Sequence, residues 1–382
     1  MRRLLYLSTD PGVPVLGHKG ASVHVRSLVR ALATKGPGLV LASPRVAYEG
    51  EQLDAAVELV EIEGVLPKQH VDADSLRAAV DRQAAQVLEL VRRHRADAIY
   101  ERFSLFTAAG VRAAAAAGIR HVLEVNAPLR AEALSFRTLP HPGIAAELEQ
   151  ETLSATDRVL AVSGTLAELL ASSGVVADKI EVVGNAIDPE QFAGRGRRGS
   201  DVFTVGFAGS LKPWHGIEVL VEAFRLAHAE VPLLRLEIAG DGPASAALAA
   251  DDLPDAIVRL GQLTHEETIR AMARWHVGAA PFRRFDNFYF SPLKLVEYLA
   301  AGVCAVASDL PELRSALGDG ERGVLVEPGS PDARAGALVE RAGDRERAAE
   351  LGARGRTYAL GALSWARNAE RALAALGQEI AA

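Results

Sequence analysis

The chain has 382 residues, 49% of them apolar and 24% charged, and a formal net charge of −7. One core stays economical only up to roughly 250–300 residues, so two domains are expected. The acidic balance argues against nucleic acid as the main partner, since phosphate binding needs clustered Lys and Arg. The densest basic run, Arg195-Gly-Arg197-Arg198, reads as a solvated linker. No apolar run reaches about 18 residues, so no transmembrane segment is expected. Met1–Ser8 is too short for a signal peptide, and a cytoplasmic protein is inferred. A lone cysteine, Cys304, excludes an intrachain disulfide and reads as a core residue in an apolar strand, Val303–Ala307.

In chain order, Leu4–Ser8 reads as a strand, followed by a Gly-containing loop from Gly12 to Gly20 and a helix over Ser22–Lys35. Leu39–Ala42 is a second strand. Helical spacing of Leu76, Val80, Val87, Leu88 and Val91 predicts a helix over Asp72–His94. Strands at Ala98–Tyr100 and His121–Val125 flank a predicted helix, Leu105–Ala117. A helix over Ile144–Ala155 and a strand over Arg158–Val162 follow. The scheme then restarts with a strand at Val202–Ala208 and a helix at Ile217–Glu230. Strands at Leu234–Ala239 and Ile257–Leu260, a helix at His265–Ala273 and a strand at Val277–Pro281 come next. The helix Leu293–Ala301 and the strand Val303–Ser308 complete the set. Alternating strands and helices argue for parallel sheets covered on both faces. A first domain is expected over 1–190 and a second over 191–363, with the helix in 364–382 packing back toward the first.

Helix starts with small residues make anion sites, because unpaired backbone N–H groups point at the ligand. Three segments qualify: Gly17-His-Lys-Gly-Ala-Ser22, Gly209-Ser-Leu-Lys-Pro-Trp-His-Gly216 and Phe290-Ser-Pro-Leu-Lys-Leu-Val-Glu297. All fall at the carboxyl ends of strands, where open α/β sheets bind ligands. Neither the P-loop pattern nor G-x-G-x-x-G is completed, which counts against an NAD enzyme. A diphosphate between two lobes is the economical ligand. Asp72-Ala-Asp74 spells a metal-type D-x-D, but it precedes a helix and reads as a cap. No metal site is expected.

An ordered series of motifs resembles the family 4 glycosyltransferases. It runs through Lys19-Gly-Ala-Ser-Val-His24, Tyr100-Glu-Arg-Phe103, Leu123-Glu-Val-Asn-Ala-Pro128 and Asn185-Ala-Ile-Asp188. It continues with the Gly209 loop, Ala239-Gly-Asp-Gly-Pro243 and Ser291-Pro-Leu-Lys-Leu-Val-Glu297. The resemblance implies the GT-B fold, an α/β architecture of two Rossmann-like domains facing a central cleft. It also implies retaining transfer from a UDP- or GDP-linked sugar, with no further cofactor, to a hydroxyl acceptor on a glycan, lipid carrier or small-molecule natural product. Glu297 would accept from the ribose hydroxyls. Backbone near Ser291 and Leu293 would hold the distal phosphate, Leu260 would line the base pocket, and Gly17 would let the first loop approach the diphosphate. Gly209, Ser210 and His215 would complete the donor side. Lys212 and Lys294 would stabilise the leaving diphosphate, and Asn126 would stand near the transferred sugar. His18, His24, Glu101 and Arg102 are candidates for acceptor contacts.

The chain also departs from the pattern. Eight residues before Glu297 stands Tyr289, where the family commonly has a second Glu. Ser210 and His215 stand where Arg and Lys are usual. Asp286 or Arg283 could stand in for a missing charge. A sugar-nucleotide epimerase and a non-catalytic nucleotide-sugar-binding subunit are the rival readings.

Overall fold

The computed structural model describes residues 1–17, 20–46, 53, 56–65, 71–194, 202–248, 254–284, 288–291 and 293–377. Short apolar runs become strands buried on both faces, the pattern of a parallel sheet sandwiched between helices. The chain divides into two units. One comprises Met1–Gly184, Tyr289–Ser291 and Trp365–Ala382; the other comprises Asn185–Phe288 and Pro292–Ser364.

The first unit holds strands β1 (Arg3–Ser8), β2 (Gly38–Ser43), β3 (Val57–Glu61) and β4 (Ala98–Arg102). Strands β5 (Arg120–Val125), β6 (Arg158–Ala161) and β7 (Ile180–Val182) complete its described sheet. Their order is β3-β2-β1-β4-β5-β6-β7, all parallel. The winding reverses between β1 and β4, so a crevice opens at the carboxyl ends of these strands. Its helices are α1 (Gly20–Ala33), α2 (Ala73–His94), α3 (Ala109–Ala117), α4 (Leu129–Phe136), α5 (Pro142–Ala155) and α6 (Gly164–Ser172).

Asp72 caps α2, its carboxylate accepting from the Ser75 N–H at 2.8 Å, which accounts for the D-x-D pattern. Helix α3 starts four residues later than its apolar pattern predicts. Phe106 sits at φ 61°, which no helix continues, and the Thr107 hydroxyl accepts from the Ala109 N–H.

The second unit repeats the scheme with β8 (Phe203–Ala208), β9 (Leu234–Ala239), β10 (Ile257–Gly261), β11 (Val277–Ala280), β12 (Cys304–Ser308) and β13 (Gly323–Val326). The order is β10-β9-β8-β11-β12-β13, with the reversal between β8 and β11. Helices α7 (Ile217–Glu230), α8 (His265–Met272), α9 (Leu293–Ala301), α10 (Pro311–Ala316), α11 (Pro331–Gly343) and α12 (Arg345–Ala362) cover it. The last described helix, α13 (Trp365–Ala375), returns to the first unit and packs on α1. There Trp365 meets His24 edge-on, ring centroids 4.8 Å apart. Cys304 is buried and its thiol is pushed up to about 12 by that burial, as suits an inert core residue. Among the described residues no helix is long and apolar enough to cross a membrane.

At the centre of the second sheet, Gly206 in β8 lets the Trp275 ring lie against the strand. A Cβ there would fall 1.8 Å from Trp275 Cδ2. Trp275 is fully buried, and its Nε1–H donates to Glu237 at 2.9 Å, so the ring has nowhere to move. Gly206→Ala is expected to cost about 3 kcal/mol through overpacking. The measurement is the urea midpoint, which should fall while the m-value holds.

Candidate functional site

In the second unit the chain turns sharply as it leaves β8. Gly209 adopts φ 135°, its N–H donates to Ala239 O at 2.9 Å, and Leu211 N–H donates to Asp241 O at 2.9 Å. Gly240, at φ 136°, faces it so closely that a Cβ would lie 2.0 Å from Gly209 O. Only glycine allows both the dihedral and the approach. The Ala239-Gly-Asp-Gly-Pro243 motif therefore braces the Gly209 loop from behind. Ser210 is exposed at the loop's tip, and Lys212 leads into a 3-10 turn, Pro213–His215.

Lys294 lies in the first turn of α9. Its ammonium nitrogen is 4.1 Å from the Phe207 ring centroid and 5.1 Å from that of Phe282. A Cβ on Gly209 would be 3.1 Å from the same nitrogen. The nitrogen is buried and has no hydrogen-bond partner among the described residues. Burial pushes the lysine down to about 7, partly opposed by Glu297. An enclosed cation against aromatic faces, a helix start and a glycine loop makes a local demand for an anion. Lys212 is placed differently: it is half-exposed, with its ammonium 6.0 Å from the Trp214 ring. Arg283 is engaged in an ion pair with Glu218.

His215 needs correcting as a phosphate donor. Burial, and then the neighbouring Lys294 charge, push it down to about 3, so it is neutral. Its Nδ1–H donates to Ser210 O. The neutral tautomer that this requires leaves Nε2 as an acceptor, unable to donate to an oxyanion.

Glu297, one turn after Lys294, is 7% exposed, and its Oε1 accepts from His265 Nε2 at 2.8 Å. His265 opens α8 and was not anticipated; the sequence showed there only a capping pattern, Thr264-His-Glu-Glu267. Leu260 is half-buried against the cluster of Trp275, Tyr298 and Val303. Leu293 opens α9 in the second unit, whereas Ser291 belongs to the first, where a Cβ on Gly184 would lie 3.4 Å from Ser291 Oγ. Tyr289 also belongs to the first unit. Its hydroxyl donates to Glu132 on α4, and its carbonyl accepts from Ser163 Oγ at 2.7 Å. Asp286 and His18 lie outside the described residues.

In the first unit, Gly17 closes a turn by donating from its N–H to Pro14 O at 2.9 Å, and Arg26 of α1 donates to its carbonyl. The parity of β4 separates two neighbouring candidates. Glu101 points toward α3 and is fully buried, pairing with His121 Nε2 at 2.9 Å beneath Gly110. His121 in turn reaches Thr156 Oγ1 at 2.9 Å. Enclosed and already partnered, Glu101 leaves the set of acceptor candidates. Arg102 points to the other face, toward Glu124 of β5.

Glu124 is the residue that sequence reasoning missed. It pairs with His24 and accepts from Asn126 Nδ2 at 3.0 Å. Burial alone would raise its carboxyl, but His24, then Arg102 and Asn126, bring it down to about 2. Among the described residues, buried Glu124 Oε2, Asn126 Oδ1 and Arg102 Nη1 have no hydrogen-bond partner. Thus His24, Arg102 and Asn126 come together around a carboxylate. Among the described residues no cluster of His, Cys, Asp or Glu could hold a metal.

A family model described as Glycosyltransferase Family 4 matches residues 18–191, and one described as Glycosyl transferases group 1 matches residues 202–344. The chain belongs to glycosyltransferase family 4. A phosphatidyl-myo-inositol mannosyltransferase of Mycobacterium tuberculosis is 33% identical over 43% of this chain. The match spans 44% of that enzyme, under half its length. A D-inositol 3-phosphate glycosyltransferase of Paenarthrobacter aurescens is 26% identical over 94% of this chain and 92% of its own. Among solved structures, Anabaena HepE in complex with UDP and glucose superposes with a TM-score of 0.75, covering 99% of this chain and 100% of that one at 17% identity. Sucrose-phosphate synthase from Thermosynechococcus elongatus gives 0.74, covering 98% of each chain, again at 17% identity. These likenesses identify the fold of this family member as GT-B.

The buried lysine has a measurable signature. Its pKa is about 7 folded against 10.5 ordinarily, so the unfolded chain binds more protons between those values. Stability should therefore rise with pH across that window. Lys294→Met is expected to abolish the rise and to raise stability at pH 6 by roughly 3 kcal/mol. Urea midpoints from pH 6 to 10 check both.

Proposed function

We propose that the chain is a retaining glycosyltransferase that moves a sugar from a UDP- or GDP-linked donor to a hydroxyl acceptor. The observation that carries this reading is the buried ammonium of Lys294, without a hydrogen-bond partner among the described residues, against the Gly209 loop, with the Glu297 carboxylate one turn away. A cation and a helix start suit a diphosphate. An acceptor-only carboxylate at that spacing suits the two hydroxyls of a ribose. The half-buried Leu260 offers an apolar wall for the base.

In the reaction the bond from the anomeric carbon to the diphosphate breaks and a bond to the acceptor oxygen forms. The acceptor's proton passes to the departing diphosphate on the same face. No enzyme nucleophile is needed; the protein must stabilise negative charge growing on the leaving group. Lys294 and the α9 amides supply fixed positive potential in a site that water cannot screen. Ser210 is exposed for a phosphate contact, and Lys212 adds a second, more mobile charge. On the acceptor side, Arg102 and Asn126, half-buried beside Glu124, offer donors and acceptors to a polyhydroxylated substrate, while His24, enclosed and already paired with Glu124, leaves the set of acceptor candidates as Glu101 does. The inositol in the relatives' names supports testing cyclitol hydroxyls first.

The test is turnover of UDP- and GDP-linked sugars with candidate acceptors. Lys294→Ala should lower transfer about a hundredfold while leaving nucleoside affinity nearly intact. Equal losses on nucleoside and diphosphate ligands would count against a diphosphate role. A changed free sugar would point to an epimerase, and binding without turnover to a partner subunit.

A second expectation concerns protons. A bound diphosphate should restore the charge on Lys294, so binding at pH 8 should take up about 0.9 proton. Calorimetry in two buffers of different ionisation enthalpy measures this, and Lys294→Met should remove it.

A further inference from the structure

Glu297 carries the ribose-binding role in the reading above, yet its carboxylate sits where a carboxylate is hard to keep. Its side chain is only 9% exposed. An enclosed carboxylate tends to swing toward water unless a donor holds it. Among the described residues, Glu297 Oε1 accepts from His265 Nε2–H, at 2.8 Å. The two residues come from different helices, α8 and α9, which pack together.

The start of α8 is held in place. The Thr264 hydroxyl accepts from the Glu267 N–H at 3.2 Å, and Glu267 Oε2 accepts from both the Thr264 N–H and hydroxyl at 2.8 Å. This reciprocal cap fixes the backbone of His265, leaving only the two torsions of the imidazole. The nearby charge of Lys294 acts on Glu297 from a distance, but its ammonium lies against Gly209 and two phenyl rings. The hydroxyl of Tyr298, next on α9, donates to Ala279 O and accepts from the Ala208 N–H. Neither neighbour orients the carboxylate. A carboxylate offers about four lone-pair sites, so a single bond from His265 leaves room for two ribose hydroxyls.

We infer that His265 is a positioning residue: it orients Glu297 for the ribose hydroxyls and so sets the selectivity of the site for a ribonucleotide. This rests on the reading of Glu297 as the ribose contact, and the experiment separates the two. Affinities of UDP and GDP, each beside its 2′,3′-dideoxy analogue, are measured by calorimetry for the full chain and for Glu297→Ala, His265→Ala and His265→Gln. Thermal melts confirm that each variant is folded.

His265→Ala should weaken the ribonucleotide about tenfold and leave the dideoxy analogue unchanged. His265→Gln, which keeps an N–H donor, should recover most of the loss. Three outcomes would overturn the proposal: equal weakening of both ligands, which marks a structural role; no change in either; or tighter ribonucleotide binding, which marks His265 as a competitor for Glu297. If Glu297→Ala itself fails to distinguish the ribonucleotide from its dideoxy analogue, the ribose reading fails first.

Discussion

The second unit is arranged around the cost of enclosing one ammonium group. Among the described residues Lys294 Nζ has no hydrogen-bond partner, and desolvation pushes it down to about 7. What surrounds it is held by backbone and buried polar groups rather than by mobile surface charges. The Gly209 loop is tied to the Ala239–Gly242 loop behind it. Phe282, one of the two rings facing the ammonium, has its carbonyl fixed by Ser308 Oγ at 2.6 Å, and Ser308 is fixed by Arg334 at 3.0 Å. Arg334 is itself fully buried, pushed down to about 9 by that burial, and also bonds Val306 O at 3.0 Å. Two basic groups, Arg334 and Lys294, are thus enclosed within this unit.

The first unit solves a different problem. Its sheet carries two buried ionic groups on opposite faces, and strand parity decides which is which. On the α3 face, Glu101, His121 and Thr156 form a chain of bonds sealed by Gly110. On the α1 face, Glu124 gathers His24, Arg102 and Asn126 but leaves three polar atoms without partners among the described residues. Buried polar atoms are seldom left so, and the cavity of about 10 Å³ beside His24 and Glu124 has room for one water molecule.

This parity also marks how far the sequence could be read. The helices Ile217–Glu230 and Leu293–Ala301 were legible to the residue, because a glycine before the first and after the second bounds an apolar stripe. The edge strands Val57–Glu61 and Ile180–Val182 were not, because charged residues interrupt their apolar pattern and only the pairing with a neighbour defines them. Tyr100-Glu-Arg-Phe103 was visible as a motif, but adjacent residues on a strand face opposite ways, so Glu101 and Arg102 could not share one site. Ser210 and His215 could be placed on the loop that follows the strand Val202–Ala208. The tautomer of His215 depends on Ser210 O, a contact that no spacing rule reveals. His265 was hidden for the same reason: thirty-two residues separate it from Glu297.

The return of α13 to the first unit bears on how the chain is made. Helix α1 ends at Ala33, while Trp365, the residue set edge-on against its His24, is added more than three hundred residues later. At ribosomal rates of about 5–20 residues per second, the apolar side of α1 waits on the order of half a minute for its cover. The second unit, whose residues lie between, can collapse during that interval. The first-made unit is therefore completed only after the second, and a nascent chain stalled before residue 365 would carry an uncovered α1 for a chaperone to hold.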